Sequence, residues 1–433
     1  MNAAKNPSPD VRELLARRET LFGKGAQLFY EQPLHLVRGE GVWLYDANGK
    51  QYLDMYNNIP VVGHCNPRVL QAMTQQLAAH TIHSRYLDTG ILDYAQRLLA
   101  LHAPSIESVI FTCTGTEANE VAMNMARMVS GGRGFVCTDA TYHGNSALVG
   151  SLTRAPRRGR PGVHAIPFPQ RYRPIGDQLS EQALCEAYLA ELRAAIDDFA
   201  SEGVKFAGTL ICSIYANEGL PDLPAGYLSQ AVQMVRAAGG LVILDEVQAG
   251  FCRTGHWWGY QLMGVEPDIV TMGKPMGNGM PFGACASRRE FVERFRAETR
   301  YFNTFAGTPV HAAVGMAVID EIEARGLRAQ VTDVGAYLKR ELQGLAPSLQ
   351  QMGDVRGRGL FVGVDWVKDK ASREADRDGA IRMVNRLKDM GALIGHAGAL
   401  GNILKIRPPL VFDRSHAERF LELFRVAARE ARG

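Results

Sequence analysis

The chain has 433 residues, of which 46% are hydrophobic and 21% are charged, a composition typical of a globular protein with two or three domains and a large core. Its net charge of +3, from 48 basic and 45 acidic residues, and its lack of a dense basic tract argue against nucleic acid as a partner. No apolar run is long enough to span a membrane, the N-terminus has no signal-peptide core, and seven scattered cysteines without a C-x-x-C pair indicate reduced thiols. We therefore expect a cytoplasmic protein without a metal site.

The N-terminal half of the chain predicts a helix, a hairpin and then an α/β domain. Residues 11–18 have amphipathic spacing, and residues 36–56 alternate apolar and polar side chains around Asn48-Gly49, the strongest short hairpin signal. Further along, helical stretches separate five short apolar segments, at 108–114, 134–139, 208–215, 241–246 and 268–274. Such alternation predicts a mostly parallel sheet covered by helices on both faces.

The C-terminal third predicts a smaller α+β domain. From about Gly307 the chain becomes helical, and it then returns to short strands before a closing helix near 415–431. We divide the chain into an N-terminal segment (1–60) that joins the small domain, a large domain (61–310) and a small C-terminal domain (311–433).

Polar side chains follow three of the predicted strands, and ligands of open α/β sheets bind at the carboxyl ends of strands. The first group lies in TCTGTEANEVAMNMARM (112–128), a strand followed by a Gly-Thr turn and a long helix. The free N–H groups of the helix, the hydroxyl of Thr116 and the close approach that a glycine permits would form an anion site. The alternative is a threonine that only caps the helix.

The second and third groups carry a carboxylate and an amine. Asp245, in LVILDEVQAGFCRTG (241–255), would orient a protonated ring nitrogen, or else it or Glu246 would pair structurally with Arg253. Lys274 ends the strand in PDIVTMGKPMGNGMPFGA (267–284). It either extends to solvent or, with a pKa lowered by burial and nearby cations, acts as a nucleophile.

These groups together match the requirements of pyridoxal phosphate (PLP). That cofactor needs an anion site for its phosphate, a carboxylate for its pyridinium nitrogen and a lysine for its aldehyde. Tyr142, in ATYHG (140–144), would stack on the ring or belong to the core. The combination is much more specific than any one of its parts.

Several motifs closely resemble the class III aminotransferases, which are fold-type I PLP enzymes. The matching segments are DEVQ (245–248), GFCRTG (250–255), PDIVTMGK (267–274), GTEANE, TYHG, NTFAGTP (303–309) and LKIRPPLVF, all in the family's order. The resemblance extends from about residue 30 to residue 430. It implies an α/β fold with a mostly parallel sheet in the large domain and a smaller α+β domain.

The resemblance also implies roles for the residues around the cofactor. Lys274 would form a Schiff base with PLP and move a proton, and Asp245 would pair with the pyridinium nitrogen. Val247 and Tyr142 would pack on opposite faces of the ring, with Gln248 near the ring hydroxyl.

The phosphate of the cofactor would be held by residues from two subunits. In the family pattern, Gly115 and Thr116 would cradle it, and Thr304 would reach the phosphate of the neighbouring subunit. The resemblance therefore implies a homodimer with shared active sites, which could pair further into a tetramer.

One departure from the family pattern affects the substrate side. Family members usually carry a glutamate near the position of Cys212, and in amino-acid-handling members an acid there partners a substrate-binding arginine. Here the segment ICSIYANEGLPDLPAGYL has no acid before Glu218. An arginine switch of that kind is therefore in doubt.

The reaction that we expect depends on which branch of the family the chain resembles. MGKPMGNGMP, HSRYLDTGILDYAQRL (83–98) and NILKIRPPL (402–410) look most like a subgroup that includes phospho-lyases of phosphoethanolamine or phosphohydroxylysine and bacterial aminotransferases. We rank first an aminotransferase that moves an amino group from an amine or amino acid to a keto acid such as pyruvate. The alternatives are a phospho-lyase or ammonia-lyase acting on a phosphorylated amine, and a catalytically silent binding protein with this fold. In a lyase, cations would receive the leaving phosphate, and the candidates are Arg85, His396, Lys405 and Arg407.

Overall fold

The structure is a computed structural model that describes residues 9–153, 155, 162–177 and 179–430. Its helices are α1 (Pro9–Phe22), α2 (Pro67–Ala79), α3 (Thr89–Leu99), α4 (Gly115–Ser130), α5 (Ala147–Gly150), α6 (Glu181–Ser201), α7 (Tyr227–Ala237), α8 (Gly259–Met263), α9 (Arg289–Thr299), α10 (Pro309–Ala324), α11 (Leu327–Leu345), α12 (Arg377–Met390) and α13 (Arg414–Glu430). Its strands are β1 (Leu36–Glu40), β2 (Trp43–Asp46), β3 (Gln51–Asp54), β4 (Ser108–Thr112), β5 (Gly134–Thr138), β6 (Val163–Ile166), β7 (Phe206–Cys212), β8 (Leu241–Asp245), β9 (Ile269–Met272), β10 (Gly283–Ser287), β11 (Met352–Arg358), β12 (Phe361–Trp366), β13 (Ala392–Leu393), β14 (Gly395–Ala397) and β15 (Ile403–Ile406).

A seven-stranded sheet in the order β4-β10-β9-β8-β7-β5-β6 forms the centre of the molecule. Strands β9, β8, β7, β5 and β6 run parallel, whereas β10 is antiparallel to both of its neighbours. Successive side chains of a strand point to opposite faces. Accordingly, Val242 and Leu244 pack into a core shared with α6 and α7, and Ile243 packs into a separate core shared with α4. The predicted mostly parallel sheet, covered on both faces, is confirmed.

Two four-stranded sheets flank the large one, in the orders β1-β2-β3-β13 and β11-β12-β15-β14. The predicted hairpin forms β2 and β3 around Asn48-Gly49, where Gly49 has a φ of 80°. Strand β13 pairs in parallel with β3, with Leu53 opposite Ala392. This pairing joins the N-terminal hairpin to the C-terminal part of the chain. The domain boundaries near residues 60 and 310 stay a prediction.

Two predicted strands end earlier than their sequence suggests, and both ends lie at the carboxyl edge of the large sheet. The segment predicted at 208–215 leaves the sheet after Cys212, because the Tyr215 N–H turns back to the Cys212 carbonyl at 3.0 Å. The segment predicted at 268–274 ends at Met272, and Lys274 begins a short 3₁₀-helix. The residues that follow these two strands therefore lie at the same edge of the large sheet. Among the helices of the described ranges, none is long and apolar enough to cross a membrane.

Candidate active site

A cavity of about 330 Å³ opens at the carboxyl ends of β7, β8 and β9, where ligands of α/β sheets bind. The predicted site residues that line it are Gly115, Thr116, Tyr142, Asp245, Val247, Gln248 and Lys274. Residues distant in sequence thus come together in one cavity. We refer to this cavity as the active-site pocket.

Lys274 projects from the point where the chain leaves β9. Its φ of 30° lies in the left-handed region, which non-glycine residues rarely adopt and which marks strained functional positions. Burial lowers the pKa of Lys274, the charge of Asp245 opposes that shift, and the charge of Arg407 adds to it. A lysine with a lowered pKa has a larger fraction of the neutral, nucleophilic amine near neutral pH.

Asp245 lies at the end of β8 and is fully engaged by donors. Its Oδ2 atom lies 2.7 Å from His143 Nδ1 and accepts from Asn119 Nδ2 at 3.0 Å, and its Oδ1 atom accepts from the Val247 N–H at 2.9 Å. Burial alone would raise the pKa of Asp245, but the hydrogen bonds from His143 and Val247 outweigh it and keep the pKa below its usual value. The carboxylate is therefore ionised and held in one orientation.

The ion pair with Arg253 that we considered for these acids is absent among the described residues. The Arg253 guanidinium instead donates to the carbonyls of Leu360 and Pro408. Glu246 accepts from the N–H groups of Gly259 and Tyr260, at 2.8 and 2.9 Å, and so belongs to the support of the site.

The start of α4 forms one end of the pocket. Thr114, not Thr116, is the N-cap, because its side chain accepts from the Glu117 N–H at 3.1 Å. The hydroxyl of Thr116 is therefore not used as the cap. A Cβ atom at Gly115 would lie 2.9 Å from the Val247 side chain, so only glycine fits there. The first-turn N–H groups of a helix have no partner within it and favour an anion.

The middle of the pocket lies between a buried aliphatic side chain and an aromatic one. Val247 is 6% exposed, whereas Tyr142 is 43% exposed and its carbonyl accepts from Asn217 Nδ2 at 3.0 Å. Both line the pocket, as expected for residues that pack on a ring.

The wall beyond Gln248 carries two cations. Gln248 Oε1 accepts from Lys405 Nζ at 3.2 Å and from Arg407 Nη1, and Arg407 Nε donates to the Tyr56 carbonyl at 2.9 Å. Both cations are buried, and among the described residues neither is hydrogen-bonded to a carboxylate. Burial, followed by the charge of Arg407, lowers the pKa of Lys405 well below its usual value.

Two further acidic groups near this wall have pKa values that burial raises. Burial raises the pKa of the Cys212 thiol, which therefore stays protonated in the pocket lining. Burial also raises the pKa of Glu218, whose Oε1 accepts from the Thr138 hydroxyl. Cys212 therefore adds no negative charge beside the cations, whereas the charge of Glu218 partly opposes the lowering of the Lys405 pKa.

Three predicted residues are not part of the active-site pocket lining, although His396 lines a neighbouring cavity that shares Tyr142 and Asn217 with it. Arg85 is exposed and stacks on the Phe302 ring at 3.9 Å, and Thr304 is also exposed. His396 is exposed as well, with its Nδ1 atom 2.8 Å from the Gly401 carbonyl. The structure of one chain does not bring these three side chains to Lys274.

Sequence reasoning did not assign roles to three residues that organise the pocket. His143 and Asn119 hold Asp245, and Asn217 Oδ1 accepts from Gln248 Nε2 at 3.0 Å. The first two stand inside the TYHG and GTEANE segments, so their place in family-like motifs was the available signal. Asn217 lies in the segment that departs from the family pattern, where sequence offered no signal.

The chain matches the family described as "Aminotransferase class-III" over residues 28–427. It is 35% identical to "Alanine--glyoxylate aminotransferase 2-like" of Drosophila melanogaster, over 98% of this chain and 88% of that protein. It is 34% identical to "Ethanolamine-phosphate phospho-lyase homolog 1" of Caenorhabditis elegans, over 94% of this chain and 92% of that protein. A solved phospholyase structure from Arthrobacter, in complex with phosphoethanolamine, is 41% identical with a TM-score of 0.92, covering 96% of this chain and 99% of that one. The chain is therefore a member of the class III aminotransferase family, with the α/β fold-type I architecture of its PLP-dependent enzymes.

Proposed function

We propose that this enzyme eliminates phosphate from a small phosphorylated amine such as phosphoethanolamine, releasing ammonia and an aldehyde. The observation that carries the proposal is the pair of buried cations, Lys405 and Arg407, whose shared acceptor is the neutral amide of Gln248. Buried charges are normally paired. Among the described residues neither cation is hydrogen-bonded to a carboxylate, and only the longer-range charges of Glu218 and Asp54 oppose them. The pair therefore favours a substrate that brings two negative charges. The proposal places lyase chemistry above the aminotransferase that we ranked first from the sequence.

The residues of the pocket fit PLP as the cofactor. Gly115 and Thr116 offer a helix N-terminus for its phosphate, with the space that a Cβ atom at Gly115 would fill. Asp245 is ionised and held by donors, as a partner of a pyridinium nitrogen must be. Lys274 is the lysine for its aldehyde, and Val247 and Tyr142 flank the space for the ring.

PLP, when bound, supplies an electron sink for negative charge on the carbon next to the amine nitrogen. Lys274 Nζ is the base that takes the proton from that carbon, because its lowered pKa leaves it neutral more readily than an ordinary lysine. His143 donates from Nδ1 to Asp245 and so keeps the carboxylate in place during the reaction.

The cations act on the leaving group. When the bond between the β-carbon and the phosphate oxygen breaks, its electron pair leaves with the phosphate. Lys405 and Arg407 would stabilise that charge, either directly or through Gln248, whose amide lies between them and the pocket. Cys212, as a neutral thiol, does not compete with the phosphate for the cations.

We also propose that two copies of the chain pair and complete each other's pocket. Arg85 and Thr304 lie outside the pocket of their own protomer, next to large exposed apolar side chains. Leu87 is 97% exposed and Phe305 is 73% exposed. Exposed apolar surface of this kind marks association sites. A partner's Thr304 would reach the phosphate of the cofactor, and its Arg85 would add a cation.

The test is turnover of phosphoethanolamine by the PLP-loaded protein without a keto acid. We expect ammonia and inorganic phosphate in equal amounts over many turnovers, with unphosphorylated ethanolamine as a control that releases neither. Ammonia without phosphate, or no multiple turnover, would reject the phospho-lyase assignment.

The same experiment tests the second candidate, an aminotransferase, which is favoured by relatives that carry that name. An aminotransferase would stop after one equivalent of amine, and pyruvate or glyoxylate would restore turnover. A protein that binds PLP but processes no amine in either assay would instead support the catalytically silent alternative.

A further inference from the structure

A second cavity, of about 350 Å³, lies outside the active-site pocket, between the segment that follows β7 and the end of strand β11. We call it the outer cavity. Its apolar lining includes Ile214, Leu220, Leu228 and Met263. Its volume is close to that of the active-site pocket and falls in the range of about 300–1,000 Å³ that is typical of small-molecule sites.

One short turn, residues 215–220, separates the two cavities. The Leu220 N–H donates to the Tyr215 carbonyl at 3.0 Å and closes the turn, and both of these side chains line the outer cavity. Asn217, in the middle of the turn, lines the active-site pocket instead. Its side chain bonds the carbonyl of Tyr142 and the amide of Gln248, at 3.0 Å each.

The two ends of this turn are strained. Tyr215 has a φ of 52° and Leu220 a φ of 58°, and each left-handed non-glycine residue costs about 1–2 kcal/mol. Both side chains are buried, at 2% and 5% exposure, so side-chain packing holds the strain in place. A molecule that packs on these side chains therefore acts on the turn that positions Asn217.

The polar part of the outer cavity includes two arginines, Arg171 and Arg358. Arg171 pairs with Glu181 at 2.5 Å, outside the lining, which leaves Arg358 as the cation for a ligand. Arg358 pairs with Asp222 at 3.1 Å, but both side chains are about half-exposed, and such pairs contribute little. The guanidinium can exchange this partner for the carboxylate of a ligand at low cost.

We propose that the outer cavity binds a small organic carboxylate with an apolar, ring-sized body, and that its binding changes anion affinity in the active-site pocket through the turn 215–220. The apolar lining receives the ring, and Arg358 receives the carboxylate. Coupling between two sites is reciprocal. Anions bound beside Gln248 therefore change the affinity of the outer cavity by the same factor.

Calorimetric titration of the full-length PLP-loaded protein with benzoate tests the binding. Saturating inorganic phosphate is included so that benzoate does not occupy the cations of the active-site pocket. We expect a dissociation constant of about 1 mM or lower. Arg358→Ala should weaken binding about tenfold or more, and Ser229→Trp, at an exposed position of the lining, should abolish it by filling the cavity.

Arg340→Ala is the matched control, because Arg340 is an exposed arginine on α11, outside the lining of the outer cavity, that pairs with its neighbour Glu341 at 3.5 Å. Benzoate binding that is absent in the wild type, or that survives in both cavity variants, overturns the proposal. One variant removes a charged side chain and the other adds a bulky one. If one of them fails to fold, benzoate binding can still be measured on the other.

The coupling is measured by titrating inorganic phosphate with and without benzoate. This arm rests on the proposed function, because it takes Lys405 and Arg407 as the phosphate site. We expect at least a threefold change in phosphate affinity in the wild type and none in Ser229→Trp. An unchanged affinity at saturating benzoate refutes the coupling. Failure of phosphate to bind at all refutes the proposed function, and benzoate binding is then still measurable on its own.

Discussion

On one side of the active-site pocket, the carboxylate of Asp245 accepts from three different residues, and on the other, Lys405 and Arg407 share the oxygen of Gln248. The first side is electrostatically complete within one chain. The second holds two buried positive charges against a neutral acceptor. Because a buried charge without a hydrogen-bonded carboxylate is costly, burial and the charge of Arg407 lower the pKa of Lys405 in the free protein. The difference supports the proposal that the carboxylate side serves the cofactor and the cation side serves an anionic group of the substrate.

The largest expected effect comes from Lys274, which lies between the two sides. Lys274→Ala should lower turnover by roughly 10³-fold, because it removes the base, measured as ammonia released per second. Lys388→Met is the matched control, since Lys388 is also a buried lysine but pairs with Asp389 away from the pocket. Full activity in Lys274→Ala would contradict the catalytic assignment.

The stability of the cofactor-free protein should respond differently to substitutions on the two sides. Asp245→Ala leaves the Asn119 and His143 donors without their acceptor, so we expect a loss of about 3 kcal/mol in the free energy of unfolding. Lys405→Met removes a buried amine whose charged form burial already disfavours, and it should change stability by less than about 1 kcal/mol or increase it. Denaturant unfolding of both variants without PLP measures this. Equal losses of unfolding free energy in the two variants would mean that the two sides do not differ in how their buried charges are compensated.

The cation side should dominate substrate affinity. Lys405→Met should raise the KM for phosphoethanolamine by about 10–100-fold, with a smaller effect on kcat, because it removes one of the two cations that are proposed to attract the phosphate. Lys388→Met again serves as the control and should leave KM unchanged. A lower kcat at constant KM would assign Lys405 to the chemical step instead.

Adding a carboxylate beside Lys405 and Arg407 should reduce the difference in charge compensation between the two sides. Cys212→Glu introduces the residue type that relatives usually carry there, and it should raise the KM for the phosphorylated amine by about tenfold, by giving the cations an internal partner. Cys212→Ser, which keeps the size and neutrality of the thiol, should behave as the wild type. A folded Cys212→Glu protein with normal KM would show that the cations do not meet the phosphate.

The smallest expected effect is the uptake of a proton when phosphate binds. The pKa of Lys405 is lowered in the free protein, so part of this lysine is neutral at a pH at which an ordinary lysine is charged. A bound anion raises that pKa, so phosphate binding should take up a fraction of a proton, and affinity should fall as pH rises through the lowered pKa. Calorimetry in buffers of different ionisation enthalpy measures the uptake. The difference between the wild type and Lys405→Met isolates the contribution of the lysine, and identical uptake would refute it.

The sequence predicted the carboxylate side more fully than the cation side. Asp245 and Lys274 each follow an apolar segment of the large sheet, and the carboxyl ends of parallel strands meet at one edge. The N-terminus of α4 also follows from a strand, a glycine and a helical pattern. Sequence patterns that are each contiguous in the chain were therefore enough to predict that these groups lie together.

The cation side depends on contacts that no local pattern encodes. Gln248 follows β8, whereas Lys405 and Arg407 belong to β15 and its end in a different sheet. Whether their side chains meet, and whether an acid lies among them, depends on how two sheets pack against each other. The donors to Asp245 were missed for the same reason, since Asn119 and His143 come from separate elements.

By itself the sequence predicted five of the seven strands of the large sheet, the resemblance to the family, and the positions of the lysine, the carboxylate and the helix N-terminus. These follow from periodicity and from motifs that are contiguous in the chain. Only the tertiary structure decided which charges are compensated, because burial and hydrogen bonding depend on neighbours more than 100 residues apart, as Gln248 and Lys405 are. The compensation of charge, and with it the proposed preference for a phosphorylated amine, is therefore a property of the packed molecule.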